Sequence, residues 1–130
     1  MKNKALFLFT NRLSNAVAKK KPYILLPYNK FVWSICSILL YEGFIRAFFF
    51  QQDQKKIFIL LKYKKSNSTV SKISLFSFSS RFYNLRRYRL LNFCVRKKIL
   101  GSLIFSSNLN KTFSTGSSVF SGGKLLLSIF

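Results

Sequence analysis

The chain has 130 residues, 49% of them hydrophobic, so it can build a core and is not a disordered basic tail. Against 23 Lys and Arg stand only two acids, Glu42 and Asp53, and no histidine, for a net charge of +21. That balance excludes carboxylate dyads, serine–histidine triads and histidine–carboxylate metal sites, and it makes a large polyanion the simplest partner.

Cys36 and Cys94 lie in separate apolar contexts without CxxC spacing and read as small core hydrophobes. The expectation is a protein that is not an enzyme, with no cofactor and no small-molecule substrate. No charge-free apolar run reaches the ~18 residues of a spanning helix, so membrane insertion is not expected. The richness in Phe, Lys, Asn, Ile, Tyr and Ser matches an A/T-biased gene of the kind found in organelle genomes.

Residues 1–21 are basic, acid-free and amphipathic, which imitates a mitochondrial transit peptide. The rival reading is a helix over residues 5–18, with Leu6, Phe9, Leu13 and Val17 on one face. Lys19, Lys20 and Lys21 suit the C-terminus of that helix, and Pro22 breaks it. Residues 23–26 read as a short strand. Pro27, Tyr28 and Asn29 then form a turn, with Asn29 as N-cap. Phe31, Val32, Ile35, Cys36, Leu39 and Leu40 make the apolar stripe of a second helix, which Gly43 ends at the left-handed position.

Residues 45–51 and 56–62 read as a hairpin around Gln52, Asp53 and Gln54. Residues 64–69 look like a polar connection, and residues 70–80 like a further strand at a subdomain boundary. Arg81, Phe82, Tyr83, Arg86, Arg87, Tyr88 and Arg89 interleave guanidinium groups with rings, a pattern suited to phosphate pairing and base stacking. Its plain alternative is a solvated basic strand. A short helix or turn over residues 93–98 leads through Gly101 into an apolar strand. The polar run Ser106, Ser107, Asn108, Leu109, Asn110, Lys111 follows. Gly122 and Gly123 read as a hinge before a terminal strand.

Four stretches in this order resemble the small-subunit ribosomal protein eight family. They are Thr10-Asn11-Arg12-Leu13-Ser14-Asn15-Ala16; Pro27-Tyr28-Asn29-Lys30 with Leu39-Leu40-Tyr41-Glu42-Gly43-Phe44-Ile45; Phe58-Ile59-Leu60-Leu61-Lys62-Tyr63; and the segments 101–110 and 122–130. The likeness begins near Phe9, which favours a mature first helix over a transit peptide. Ser106 to Asn110 stand where the family carries Ser-Thr-Ser and a Lys-Gly or similar pair, and Lys124 stands where it carries Glu.

The resemblance implies an α+β fold. Residues 1–68 form an N-terminal subdomain of two helices on a small antiparallel sheet. Residues 69–130 form a C-terminal β-rich subdomain with a short helix that binds RNA. It implies direct binding to the central domain of small-subunit ribosomal RNA, beside ribosomal proteins five and seventeen, in a mitochondrial or alternatively a plastid ribosome. The candidate RNA-binding residues are Arg12, Asn15, Lys30, Arg81, Arg86, Arg87, Tyr88, Arg89, Ser106, Ser107, Asn108, Asn110 and Lys111. A basic membrane-surface protein and a generic nucleic-acid binder are the competing readings.

Overall fold

Leu6, Phe9, Leu13 and Ala16 recur at helical spacing and are almost completely buried, which is why the chain begins as helix α1 (Lys2–Ala18). The structure, a computed structural model, describes residues 2–76, 83–86, 92, 95–96, 102–106, 112–114 and 122–129. The buried stripe closes on Ala16, whereas Val17, expected there, is only half-buried. The protein belongs to the α+β class expected from the sequence. Its described elements include the two helices of the first unit with antiparallel sheets, and it forms two compact units, Met1–Lys72 and Ile73–Phe130.

The first unit continues with β1 (Tyr23–Pro27), α2 (Lys30–Tyr41), β2 (Ile45–Gln51) and β3 (Lys56–Leu61). Asn29 caps α2 as expected, in extended conformation, its Oδ1 accepting from the Phe31 N–H at 2.9 Å. Val32, Ile35, Cys36 and Leu39 are buried, while Leu40 at the margin of the stripe stays 43% exposed. The strands pair antiparallel in the order β1–β3–β2. On the central strand Ile57, Ile59 and Leu61 are buried and alternate with half-buried residues, so the helices cover one face of the sheet.

Both helices end in the same way. After α2 the Phe44 N–H donates to Leu39 O and the Gly43 N–H to Leu40 O, with Gly43 at φ 82°. After α1 the Lys21 N–H donates to Ala16 O and the Lys20 N–H to Val17 O, with Lys20 at φ 51°. Each is a Schellman closure, but one uses glycine at the left-handed residue and the other lysine.

Residues 64–69 are not merely a polar connection. β4 (Tyr63–Lys64) and β5 (Asn67–Ser68) pair around Lys65 and Ser66, at φ 49° and 68°. Two positive φ values at the centre of a two-residue loop define a turn matched to strand twist. Thr69 Oγ1 then donates to Phe44 O at 2.8 Å, and Val70 is buried.

In the second unit β10 (Gly122–Ile129) is the centre of a five-stranded antiparallel sheet. On one side it pairs with β6 (Ile73–Leu75) and β7 (Tyr83–Arg86), and on the other with β8 (Ser102–Ser106), which pairs in turn with β9 (Thr112–Ser114). Gly122 and Gly123 are ladder residues opposite Arg86 and Leu85, not a hinge. Leu125 to Ile129 are all buried, so this strand is apolar on both faces because both faces are covered. Of the strand expected over residues 70–80, the described part is β6, after which the Phe76 N–H donates to Leu126 O at 2.9 Å; residues 77–80 lie outside the described residues. Asn92, Val95 and Arg96 are helical, and the remainder of the helix expected there also lies outside them.

The contrasting helix ends yield a paired expectation. An ideal Cβ on Gly43 would meet nothing within 4 Å, so only its backbone angle resists substitution. Gly43→Ala should therefore lower stability by about 1 kcal/mol and Lys20→Gly should raise it by about 0.5–1 kcal/mol in chemical denaturation. Equal effects of the two changes would refute this account of the turns.

Candidate nucleic-acid interface

Burial of Leu6, Phe9, Leu13 and Ala16 turns the adjacent stripe of α1, with Arg12, Asn15 and Lys19, toward solvent. Arg12 Nη1 donates to the Leu25 carbonyl of β1, the strand at that edge of the sheet, and so ties helix to strand. The Schellman turn carries the chain back along the same edge. There the Lys21 carbonyl accepts from the Tyr63 hydroxyl and the Pro22 carbonyl from the Leu61 N–H at 2.9 Å. Burial pushes the Tyr63 phenol above its ordinary range, which keeps the donating proton in place.

Between α1 and β1 these elements leave an open groove of about 570 Å³ lined by Arg12, Asn15, Lys19, Lys21 and Tyr23 among others, with no carboxylate in its walls. It presents three cations, an amide and a ring on a rigid helix–strand frame. Such a surface can track a phosphate backbone. Of the residues predicted from the sequence, Arg12 and Asn15 meet here. Lys30 does not. It is the exposed first residue of α2, outside the groove lining, and its carbonyl accepts from Ser34 Oγ at 3.1 Å. Lys19, Lys21 and Tyr23 are the groove residues that sequence reasoning missed. The signal was the triple lysine before Pro22, read only as a helix ending.

In the second unit Ser106 closes β8, half-buried and opposite both Lys124 and Thr112. Ser106 and Thr112 thereby flank the segment 107–111, which joins one paired strand to the next in sequence. Arg86 closes β7 opposite Gly122. Arg81, Arg87, Tyr88, Arg89, Ser107, Asn108, Asn110 and Lys111 lie outside the described residues.

Among the described residues no cluster of His, Cys, Asp or Glu is able to hold a metal ion, and no helix is long and apolar enough to cross a membrane. Cys36 is a free thiol, completely buried on the inner face of α2. Loss of solvation there pushes its pKa up to about 12, so it is a core residue rather than a nucleophile. Cys94 lies outside the described residues.

The family model for ribosomal protein S8 matches residues 8–130. The chain belongs to the ribosomal protein S8 family. Among its relatives, the small ribosomal subunit protein uS8m of Acanthamoeba castellanii is 34% identical over 107 residues, 82% of this chain and 83% of that one. The small ribosomal subunit protein uS8c of Tetradesmus obliquus is 36% identical over 61 residues, 47% of this chain and 45% of that protein, so the aligned part spans less than half of the relative. Membership in S8 makes this a small ribosomal subunit protein of a structural rather than catalytic family, as the motifs from Thr10 to Phe130 suggest. Within S8 terms, the α1 motif that carries the resemblance is the motif that builds one wall of the groove.

Two outcomes follow from this geometry. Arg12→Ala should lower stability by about 0.5–1 kcal/mol through the lost bond to Leu25, whereas Asn15→Ala and Lys19→Ala should leave it within about 0.5 kcal/mol. Equal losses at all three would remove the tying role of Arg12. For Cys36, a folded-state pKa near 12 against an ordinary 9.0 means its stabilising contribution is complete below pH 9 and declines as pH rises toward 12. Comparing denaturation of the parent and Cys36→Ala across that interval should show a shallower decline in the variant.

Proposed function

We propose that this S8-family chain binds small-subunit ribosomal RNA directly, in its central domain, and supports assembly of an organelle ribosome. The observation that carries the reading is the carboxylate-free groove of Arg12, Asn15, Lys19 and Lys21 on a chain of net charge +21. Phosphate neutralisation by such cations yields strong but salt-sensitive affinity and little sequence discrimination. Discrimination is the task of neutral hydroxyl and amide groups, which can bond to base edges and ribose hydroxyls of an irregular helix. We assign it to Ser106, Ser107, Asn108 and Asn110, with Lys111 adding a phosphate contact and Arg81, Arg86, Arg87, Tyr88 and Arg89 adding charge and stacking. Lys30 supplies a further cation outside the groove.

The relatives' names, uS8m and uS8c, support an organelle setting, and the longer alignment, to uS8m, favours the mitochondrion over the plastid. Its partners on this reading are small-subunit ribosomal RNA and neighbouring small-subunit proteins, with ribosomal proteins five and seventeen the ones the family resemblance points to.

The protein should sediment with mitochondrial small subunits and remain there after a moderate salt wash; recovery only as free protein, or only from plastids, contradicts the reading. Ser107→Ala combined with Asn108→Ala should weaken binding to the specific ribosomal RNA site about tenfold while leaving binding to bulk RNA nearly unchanged. An equal loss on both RNAs would remove the discriminating role from that segment.

A further inference from the structure

Three rings run across the sheet face of the first unit that the helices leave open. Phe49, Phe58 and Leu25 lie opposite one another in the register, on the face away from Ile59, Ile24 and Phe48. Phe58, on the central strand, is stacked from both sides. Tyr23 of β1 lies 4.7 Å from it with 16° between the planes, and Phe49 of β2 lies 4.8 Å away at 20°. The two outer rings remain 45% and 48% exposed. A sheet face turned to water ordinarily carries polar side chains. Here it carries a column whose terminal rings, among the described residues, stack on no further ring.

The ends of the column differ in their surroundings. Tyr23 also lines the groove, beside Arg12, Lys19 and Lys21. Its inner face is held against Phe58, which fixes the ring orientation before anything binds and lowers the ordering cost of a further stacked ring. A cationic groove that tracks phosphates next to a free aromatic face is the combination that holds single-stranded nucleic acid. A duplex offers the phosphates without a free base face. An acidic protein segment would match the charge, but it would not supply an anion and a planar ring in each repeating unit, as RNA does.

We propose that the Tyr23 end of the Tyr23–Phe58–Phe49 column is a stacking site for an unpaired base of single-stranded RNA whose phosphates run in the α1–β1 groove. The proposal rests on the RNA-binding reading above and adds to it a base contact in the first unit, separate from the polar segment that follows β8. Tyr23 provides the stacking face, and Phe58 positions it.

The test uses the full chain with three probes: a short oligouridylate carrying one photoreactive iodouridine, an RNA duplex of equal length, and the small-subunit ribosomal RNA. Tyr23→Leu, which keeps apolar bulk on the strand, should weaken oligouridylate binding roughly tenfold, and Tyr23→Phe should stay within about twofold. Duplex binding should be unaffected by either change. Lys19→Ala and Lys21→Ala should each reduce the salt slope for the oligonucleotide by about 0.7. In the unaltered protein the photo-crosslink should map to Tyr23, a readout that needs no variant to fold. A crosslink elsewhere, or unchanged oligonucleotide affinity in Tyr23→Leu, overturns the stacking site; if ribosomal RNA is still bound, the RNA-binding reading survives it. Failure of the unaltered protein to bind any RNA overturns that reading and this one with it. Loss of a neighbouring protein from Tyr23→Leu subunits, with oligonucleotide binding intact, identifies a protein-docking face and also overturns the proposal.

Discussion

With 23 cationic side chains against two carboxylates, hardly any positive charge in this chain can be neutralised from within. Each unit must therefore be held by apolar surface and backbone pairing while its surface repels itself. The two central strands meet that requirement. On β3, Ile57, Ile59 and Leu61 form an unbroken buried row beneath the helices, and on β10 five consecutive residues are buried. Among the described residues the buried polar side chains are Thr10 and Ser128, neither of them charged.

That division of labour explains where the side chains proposed to meet RNA sit. Arg12, Asn15 and Lys19 can stand in a row because the neighbouring face of α1 is locked by Leu6, Phe9, Leu13 and Ala16. Lys21 is brought beside them because the helix closes through its own carbonyls before Pro22. Ser106 is held by pairing on both sides of β8. In each unit the fold fixes neutral polar groups on paired or packed elements, and on the proposed reading these discriminate while the cations attract.

Much of this was legible from residue order alone. The stripe of α2, its Asn29 cap and its Gly43 ending each obey a local rule, and the structure follows all three. The hairpin of β2 and β3 was equally plain. What escaped were the left-handed residues within turns: Lys20, Lys55, Lys65 and Ser66 all adopt positive φ without being Gly or Asn. Residues that ordinarily avoid the left-handed region give no warning when they enter it. The groove was missed for a related reason. Its lysines follow from the path of the chain after Lys20, which periodicity does not report. Gly122 and Gly123 failed in the opposite sense, since a glycine pair suggests flexibility, and here both lie inside a paired strand.

The edge strand β2 has a consequence for the isolated protein. It reads Ile45-Arg46-Ala47-Phe48-Phe49-Phe50-Gln51, with Phe49 and Phe50 about half in water and a single cation along its length. A strand of this kind at a sheet edge is a template for edge-to-edge association. What keeps two free copies apart is their mutual charge, an effect whose reach contracts from ~10 Å at 0.1 M salt to ~3 Å at 1 M. Salt strong enough to screen that repulsion leaves the exposed edge unopposed, so dilute electrolyte is the medium in which the isolated protein stays dispersed.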